Sequence, residues 1–310
     1  MEFVHKPVLF EQCMEILDIK KDGIYVDGTM GGGGHSEGIC QRLDGGRLIG
    51  IDRDREAIAA ATKLLESFAH KLSVANCNYS EIKTVLNTFD ISSINGALLD
   101  LGVSSYQLDN PDRGFGYMHD APLDMRMSRD DVISARDIVN TYSEKQLTEI
   151  ISNYGEEKWA VRIAKFIVEK RSEKPIETTF ELNDVIKAAV PKNARRDGPH
   201  PSKRTFQAIR IEVNHELDKL RGALLDFFDV LAPGGVLAVI TFHSLEDRIT
   251  KETFASLTKG CTCPKEFPVC VCGNTPKGKL KNKKPIIADG VELEENPRSR
   301  SAKLRAIIKL

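Results

Sequence analysis

The chain predicts an α/β protein, a parallel sheet flanked by helices and interrupted by an all-helical insertion. Three observations carry that expectation. A glycine-rich turn, Asp27 to Ser36, stands between a β-branched run and a helical pattern. Strand-like and helix-like segments then alternate as far as Asp100. Beyond that point, residues 108–206 show helical periodicity and offer no strand candidate.

The first strand is read from Gly23-Ile24-Tyr25-Val26, and Glu37 to Leu43 reads as the first turns of a helix. A strand that enters a glycine-rich turn and leaves by a helix N-terminus is the generic nucleotide cradle. The four glycines Gly31–Gly34 carry no Cβ, so a flat ligand can lie against main chain. The dinucleotide fingerprint G-x-G-x-x-G does not fit. Counted from Gly31 its last glycine falls on Ser36, and from Gly32 on Glu37. No Lys-Ser or Lys-Thr follows the glycines, which argues against a P-loop phosphate site.

Leu48 to Asp52 is the second strand, Arg55 to Phe68 a helix, Leu72 to Ala75 the third strand and Gly96 to Gly102 the fourth. This alternation implies parallel strands with right-handed crossovers. Asp52 ends the second strand about 20 residues past the glycines, where an acceptor for a ribose hydroxyl belongs. An ordinary helix cap before Arg53 is its structural alternative.

Within the insertion, Asp109 to Arg136 reads as surface loops, followed by amphipathic helices over Ser143–Tyr154, Glu156–Lys170 and Thr179–Ala189. The expected boundaries are residues 1–107 and 207–310 for a discontinuous sheet domain and 108–206 for the insertion. In the second half, Phe206 to Leu231 reads as one long helix, Val236 to Phe242 as a buried strand and Leu245 to Leu257 as a helix. Lys277 to Lys284 reads as an exposed cationic loop, and Ala302 to Leu310 as a final strand.

Composition narrows the function classes. With 310 residues, 41% hydrophobic and 29% charged, the chain has the make-up of a soluble globular protein. No apolar run reaches the roughly 18 residues of a membrane span. Met1 to Pro7 lacks a cationic-then-apolar leader, so a cytoplasmic location without membrane partners is expected. A net charge of −1 gives no global argument for nucleic acid. Of seven cysteines, Cys13, Cys40 and Cys77 are scattered, while Cys261-x-Cys263 and Cys270-x-Cys272 form a cluster. Most structural zinc sites use C-x₂₋₄-C, so a zinc knuckle, a reduced thiol group and a redox-sensitive pair stay open, with no metal ligand assigned.

An acid opening the turn, Asp27, would repel a pyrophosphate but suits a ligand carrying an ammonium and a sulfonium. That points to S-adenosyl-L-methionine as cofactor. The helix closing at Leu231-Ala232-Pro233-Gly234-Gly235 before a buried strand fits a Rossmann-like S-adenosylmethionine-dependent methyltransferase sheet.

Asp27 to Ser36, Ile51-Asp52-Arg53-Asp54, Leu98 to Ser105, Arg113-Gly114-Phe115, Pro122 to Met127, Arg204 to Ile211, Phe242 to Arg248 and Asn296 to Ser301 occur in order from end to end. On these stretches the chain resembles the bacterial family of small-subunit (16S) ribosomal RNA cytosine-N4 methyltransferases (RsmH/MraW). The resemblance implies methyl transfer to the exocyclic N4 amine of a cytidine in 16S rRNA, within the small ribosomal subunit, with a homo-oligomer left open. It also implies that Gly33, Gly34 and His35 contact the cofactor's methionine portion, Asp52 its ribose and Tyr79 its adenine. Asp100 and Gln107 would complete the site near the reacting methyl, Asp100 as the catalytic acceptor for the N4 hydrogens. Arg204 is a candidate phosphate contact and His243 a candidate border of the substrate site.

The residues themselves leave alternatives open. Tyr79 also reads as core filling, His35 as a turn cap and Asp100 as a cofactor contact alone. Phe115, Tyr106 and Phe242 are equal candidates for stacking the base. A nicotinamide oxidoreductase is disfavoured by the missing fingerprint. A methyltransferase acting on another nucleic acid or on protein, and a non-catalytic ribosome-assembly factor, remain as rivals.

Overall fold

The computed structural model describes residues 7–195, 200–261, 263, 264, 267, 269 and 271–310. The chain forms two compact units, one from the segment up to Gly102 together with Leu217–Leu310, the other from Val103–Glu216. The expected insertion edges, 108 and 206, thus lie inside the second unit.

In chain order the first unit begins with α1 (Phe10–Leu17), β1 (Ile24–Asp27), α2 (Gly34–Arg42), β2 (Arg47–Asp52), α3 (Arg55–Leu64), β3 (Leu72–Asn76), α4 (Ile82–Thr88) and β4 (Ile94–Asp100). The second unit carries α5 (Ser105–Asp109), α6 (Ala135–Thr141), α7 (Glu144–Gly155), α8 (Ala160–Glu173), α9 (Thr179–Ala189) and α10 (Lys203–Asn214). The first unit is completed by α11 (Leu220–Val230), β5 (Leu231–Thr241), α12 (Ser244–Leu257), β6 (Gly278–Leu280), α13 (Gly290–Glu295) and β7 (Lys303–Lys309).

The strands form one sheet in the order β3-β2-β1-β4-β5-β7-β6. Neighbours from β3 to β5 run parallel, whereas β7 is antiparallel to both β5 and β6. Alternation along each strand sorts its side chains onto two faces. Val26, Ile49, Ile51, Leu99 and Val239 pack with residues of α4, α11 and α12. Tyr25, Leu48, Leu98, Ala238 and Ile240 pack on the other face with residues of α1 and α2. Both faces are buried, which explains why the central strands read as unbroken apolar runs. From β1 the chain passes to β2 on one side, while β4 lies on the other. Their carboxyl ends therefore form a topological switch point, the crevice where α/β sheets bind ligands.

The second unit has its own core, built from Leu147, Ile151, Ile163, Ile167, Leu182, Ile186, Phe206 and Ile209 of α7 to α10. Its helices start where the sequence carries capping boxes: Ser134 with Asp137, Ser143 with Gln146 and Thr178 with Glu181. At Gly155 a Cβ would stand 2.8 Å from the Arg204 carbonyl oxygen, so α7 and α10 approach at main-chain distance.

Several expectations fail here for identifiable reasons. The long helix expected from Phe206 to Leu231 is two helices. Asn214 turns its amide onto the carbonyls of Arg210 and Met125, and His215 takes a left-handed φ of 51°. Arg210 then clamps Glu216 through two 2.8 Å hydrogen bonds, holding the chain out of helix. Glu156–Lys170 likewise begins later, at Ala160, because Glu156 takes φ 48° and ends α7. The cationic stretch Lys277–Lys284 contains β6, which pairs with the end of β7; lysines on an edge strand protect it from further pairing and read as loop. β5 starts at Leu231, so Pro233-Gly234-Gly235 lies within it at a register irregularity opposite Ile94 and Gly96. Among the described residues no helix is long and apolar enough to cross a membrane.

Candidate cofactor site

The site is assembled from the carboxyl ends of three adjacent strands, β2, β1 and β4, which finish in Asp52, Asp27 and Asp100. Asp27 is buried. Its Oδ2 accepts the Ser36 hydroxyl at 2.7 Å and its Oδ1 the Thr29 N–H at 3.2 Å. Burial pushes its carboxyl up to about 6. The turn after it is pinned to both neighbouring strands. Gly28 N–H donates to Leu98 O at 2.9 Å, Met30 N–H to Ile51 O at 2.9 Å and Gly31 N–H to Asp52 Oδ2 at 2.7 Å.

The glycines are not equivalent. Gly31 and Gly33 take φ of 50° and 91°, which favour glycine. A Cβ on Gly33 would meet Ala61 at 3.1 Å, and one on Gly34 would meet Pro7 at 2.5 Å. A Cβ on Gly32 would meet nothing within 4 Å. The bare main chain with room beside it is therefore at Gly32. At Gly33 and Gly34 the missing side chains make room for the protein's own residues.

Asp52 is not the cap of α3. That role belongs to Asp54, whose carboxylate accepts Glu56 N–H at 3.0 Å. Asp52 spends Oδ2 on Gly31 and Oδ1 on Asp54 N–H at 2.9 Å, and each oxygen keeps lone-pair capacity for a hydroxyl donor. Burial raises its carboxyl too. Tyr79 follows β3 in a 3₁₀ turn, Tyr79–Glu81, and packs half-buried against the core with its Cβ facing Gly28.

Asp100 closes β4. Its backbone N–H donates to the Thr29 hydroxyl at 2.6 Å, so the glycine turn and the end of β4 are stitched together. The side chain is 26% exposed, yet its Oδ1 is buried and has no hydrogen-bond partner. Burial, followed by the charges of Asp27 and Glu246, drives this carboxyl well above the usual range. An orphaned acceptor is costly unless a donor arrives, so the atom is built for a ligand.

His35 opens α2 but does not cap it. Its Nε2 lies 3.0 Å from the carbonyl oxygen of Val8, which can only accept, so Nε2 carries the proton. Burial pushes the imidazole down to about 4 and keeps it neutral. Its unprotonated Nδ1 stands 3.8 Å from Asp100 Oδ2.

The remaining expected residues have partners within their own units. Gln107 belongs to the second unit, where its amide accepts Ser104 N–H at 3.1 Å and donates to Met127 O at 3.2 Å in a capping box of α5. Arg204, also in that unit, donates to Glu156 O at 2.9 Å. His243 is the N-cap residue of α12 in the sheet unit, its side chain buried, with Nε2 3.1 Å from Glu246 Oε1.

Three carboxylates gathered at one crevice, two of them compensated by main-chain and hydroxyl donors, suit a cationic ligand with hydroxyl groups. The open main chain at Gly32 and the orphaned Asp100 Oδ1 meet the same requirement. S-adenosylmethionine has this character. Across residues 2–310 the chain matches the model of the MraW methylase family. The chain belongs to that family. Curated relatives agree along their full lengths. Ribosomal RNA small subunit methyltransferase H of Ruminiclostridium cellulolyticum is 54% identical over 313 residues, covering all of both chains. The protein named ribosomal RNA small subunit methyltransferase H 2 of Agathobacter rectalis is 57% identical over 311 residues, 100% of this chain and 99% of its own. That of Lachnospira eligens is 56% identical over 306 residues, 98% and 97%. This MraW methylase is an S-adenosylmethionine-dependent methyltransferase with an α/β Rossmann-like sheet.

The supports of the site are less visible in the sequence than the acids they hold. Thr29 and Ser36 had a signal, since both flank the glycines and Ser36 lies on the first turn of α2. The Val8 carbonyl that fixes His35 had none, because main-chain acceptors carry no residue signature.

Proposed function

We infer that the protein transfers the methyl group of S-adenosylmethionine to the exocyclic N4 amine of a cytidine in small-subunit ribosomal RNA. The observation that carries this reading is the buried, unpartnered Oδ1 of Asp100 beside the glycine turn. Relatives named for ribosomal RNA small subunit methyltransferase H support the substrate class.

When bound, the cofactor supplies an electrophilic methyl on sulfonium. The chain's own task is therefore to position the nucleophile and exclude water. The N4 lone pair of cytosine is delocalised into the ring. Asp100, accepting an N4–H, would favour a pyramidal nitrogen whose lone pair is free to attack. As the new C–N bond would form and the methyl–sulfur bond break, its electron pair leaving with a neutral thioether, N4 would become cationic and its proton would pass to Asp100, whose raised affinity for protons suits it to receive one. Neutral His35 adds no positive charge to repel the sulfonium. Asp52 would hold the ribose, Tyr79 would flank the adenine, and the main chain at Gly32 to Gly34 would face the methionine portion. The target base must leave its stack to reach Asp100. We assign recognition of the surrounding RNA to the helical unit, with Arg204 as a phosphate contact, and assign the border of the base site to His243.

The test is incubation with labelled cofactor and either small ribosomal subunits or naked 16S rRNA, followed by nucleoside analysis. Label in N4-methylcytidine from the subunit is expected. Label in another nucleoside, or in protein, would refute the proposed acceptor. Undiminished RNA binding without any transfer would favour an assembly factor.

A further inference from the structure

Between α12 and β6 the chain makes an exposed excursion that the methyl-transfer site does not use. Its neck is closed. Lys277 N–H donates to Leu257 O at 2.9 Å, and the Asn274 amide donates to the carbonyls of Lys259 and Gly260 at 3.1 and 2.7 Å. Its described apolar side chains cover nothing: Phe267, Val269 and Val271 are half to three-quarters exposed. A loop this long usually has packing of its own or a functional reason to be ordered.

What gathers inside this loop is sulfur. One ligand atom each from Cys261, Cys263 and Cys272 lie within 4.8 Å of one another. Cys261 Sγ and Cys272 Sγ are 3.7 Å apart, far beyond the ~2.05 Å of a disulfide. Around a tetrahedral zinc with Zn–S bonds of about 2.3 Å, two sulfurs stand about 3.8 Å apart. Main-chain N–H groups also aim at these sulfurs. Val271 N–H donates to Cys263 Sγ at 3.3 Å and Asn274 N–H to Cys272 Sγ at 3.5 Å. Such donors stabilise thiolate over thiol, the form that binds metal. The Cys270 position lies outside the described residues.

We propose that Cys261, Cys263 and Cys272 hold a structural zinc ion that replaces the missing apolar core of this loop. Each thiol that ligates loses its proton, so binding releases up to three protons and weakens as pH falls. Soft thiolates in a tetrahedral arrangement select zinc over magnesium or calcium, which take oxygen ligands.

The full chain, grown with zinc and purified under reductant without chelator, is expected to carry about one zinc per chain by mass spectrometry. Exchange for cobalt is expected to give a thiolate-to-metal charge-transfer band. The double variant Cys261→Ser, Cys272→Ser is expected to lose the metal and to be cut faster by protease in the loop, with S-adenosylmethionine affinity unchanged. Should the double variant not fold, Cys263→Ser alone is expected to release zinc to a chelating dye at lower dye concentration than wild type. Wild-type protein that stays metal-free after zinc reconstitution while binding S-adenosylmethionine overturns the proposal. So does zinc retained by the double variant, or a Cys261–Cys272 disulfide in protein kept with zinc and reductant.

Discussion

Nδ1 of His35 faces Oδ2 of Asp100 across 3.8 Å, and because Nε2–H is committed to Val8 O, the imidazole offers no proton to the carboxyl. His35 therefore gives Asp100 no donor, which is consistent with the lone Oδ1 and the raised carboxyl. The pair is primed for a substrate that brings hydrogen.

Asp100→Asn keeps the shape of the side chain but exchanges a proton acceptor for an amide. The turnover rate is expected to fall by about 10²–10⁴-fold, with S-adenosylmethionine affinity changed far less. Single-turnover methyl transfer and calorimetry together check this. Wild-type turnover in the variant would remove Asp100 from the chemistry.

Asp27 titrates at about 6 in the folded chain against an ordinary 3.8. Between those values the folded state binds more protons than the unfolded one, so this group's contribution to stability is full below 3.8. It is lost as pH rises through about 6, amounting to about 3 kcal/mol. Asp27→Asn is therefore expected to melt higher than wild type at pH 8, the gap closing toward pH 4. Because the cofactor is cationic, wild-type cofactor affinity should rise as pH passes through about 6, and the variant should lack that rise. Melting curves and titrations across this range decide it; parallel pH slopes for the two proteins would rule the assignment out.

His35 is held neutral down to about 4. Nitrogen NMR on labelled protein should show the Nε2–H tautomer throughout and no protonation near the ordinary 6.5. His35→Ala strands the buried Val8 carbonyl and is expected to cost about 1–3 kcal/mol of stability. An imidazole titrating near 6.5 would contradict the buried geometry.

Gly32→Ala and Gly34→Ala separate two uses of glycine. The first adds a Cβ into open space and is expected to leave the melting temperature near wild type while weakening S-adenosylmethionine at least tenfold. The second drives a Cβ to 2.5 Å from Pro7 and is expected to destabilise the fold. Equal cofactor affinity in Gly32→Ala and wild type would show that the ligand does not rest there.

What was legible in the chain were the features whose cause is local. β1, the glycine turn, the acids ending β2 and β4 and the boxes at Ser143 and Thr178 each announce themselves through neighbouring residues. What stayed hidden depends on distant partners. α1 follows a Leu9 in left-handed conformation, φ 53°, with no side-chain cap, so nothing in the sequence marks its start. β6 exists because β7 offers it an edge, and the break at His215 depends on Asn214 reaching Met125. In the site, the acids could be read but not the different surroundings of Gly32 and Gly34, since Pro7 and Ala61 are set there by tertiary packing.

The Leu9 N–H donates to Glu292 Oε1 at 2.6 Å, one residue from the carbonyl that holds His35 and two from the proline against Gly34. A nascent chain emerging from the peptidyl-transferase tunnel therefore makes its glycine turn early and buttresses it late. Methyl-donor uptake should be withheld until the residues around Glu292 are outside, a delay that truncated chains ending before Asp289 would expose by failing to retain S-adenosylmethionine. The methyl-donor site is thus expected to close only after the residues around Glu292 have been made.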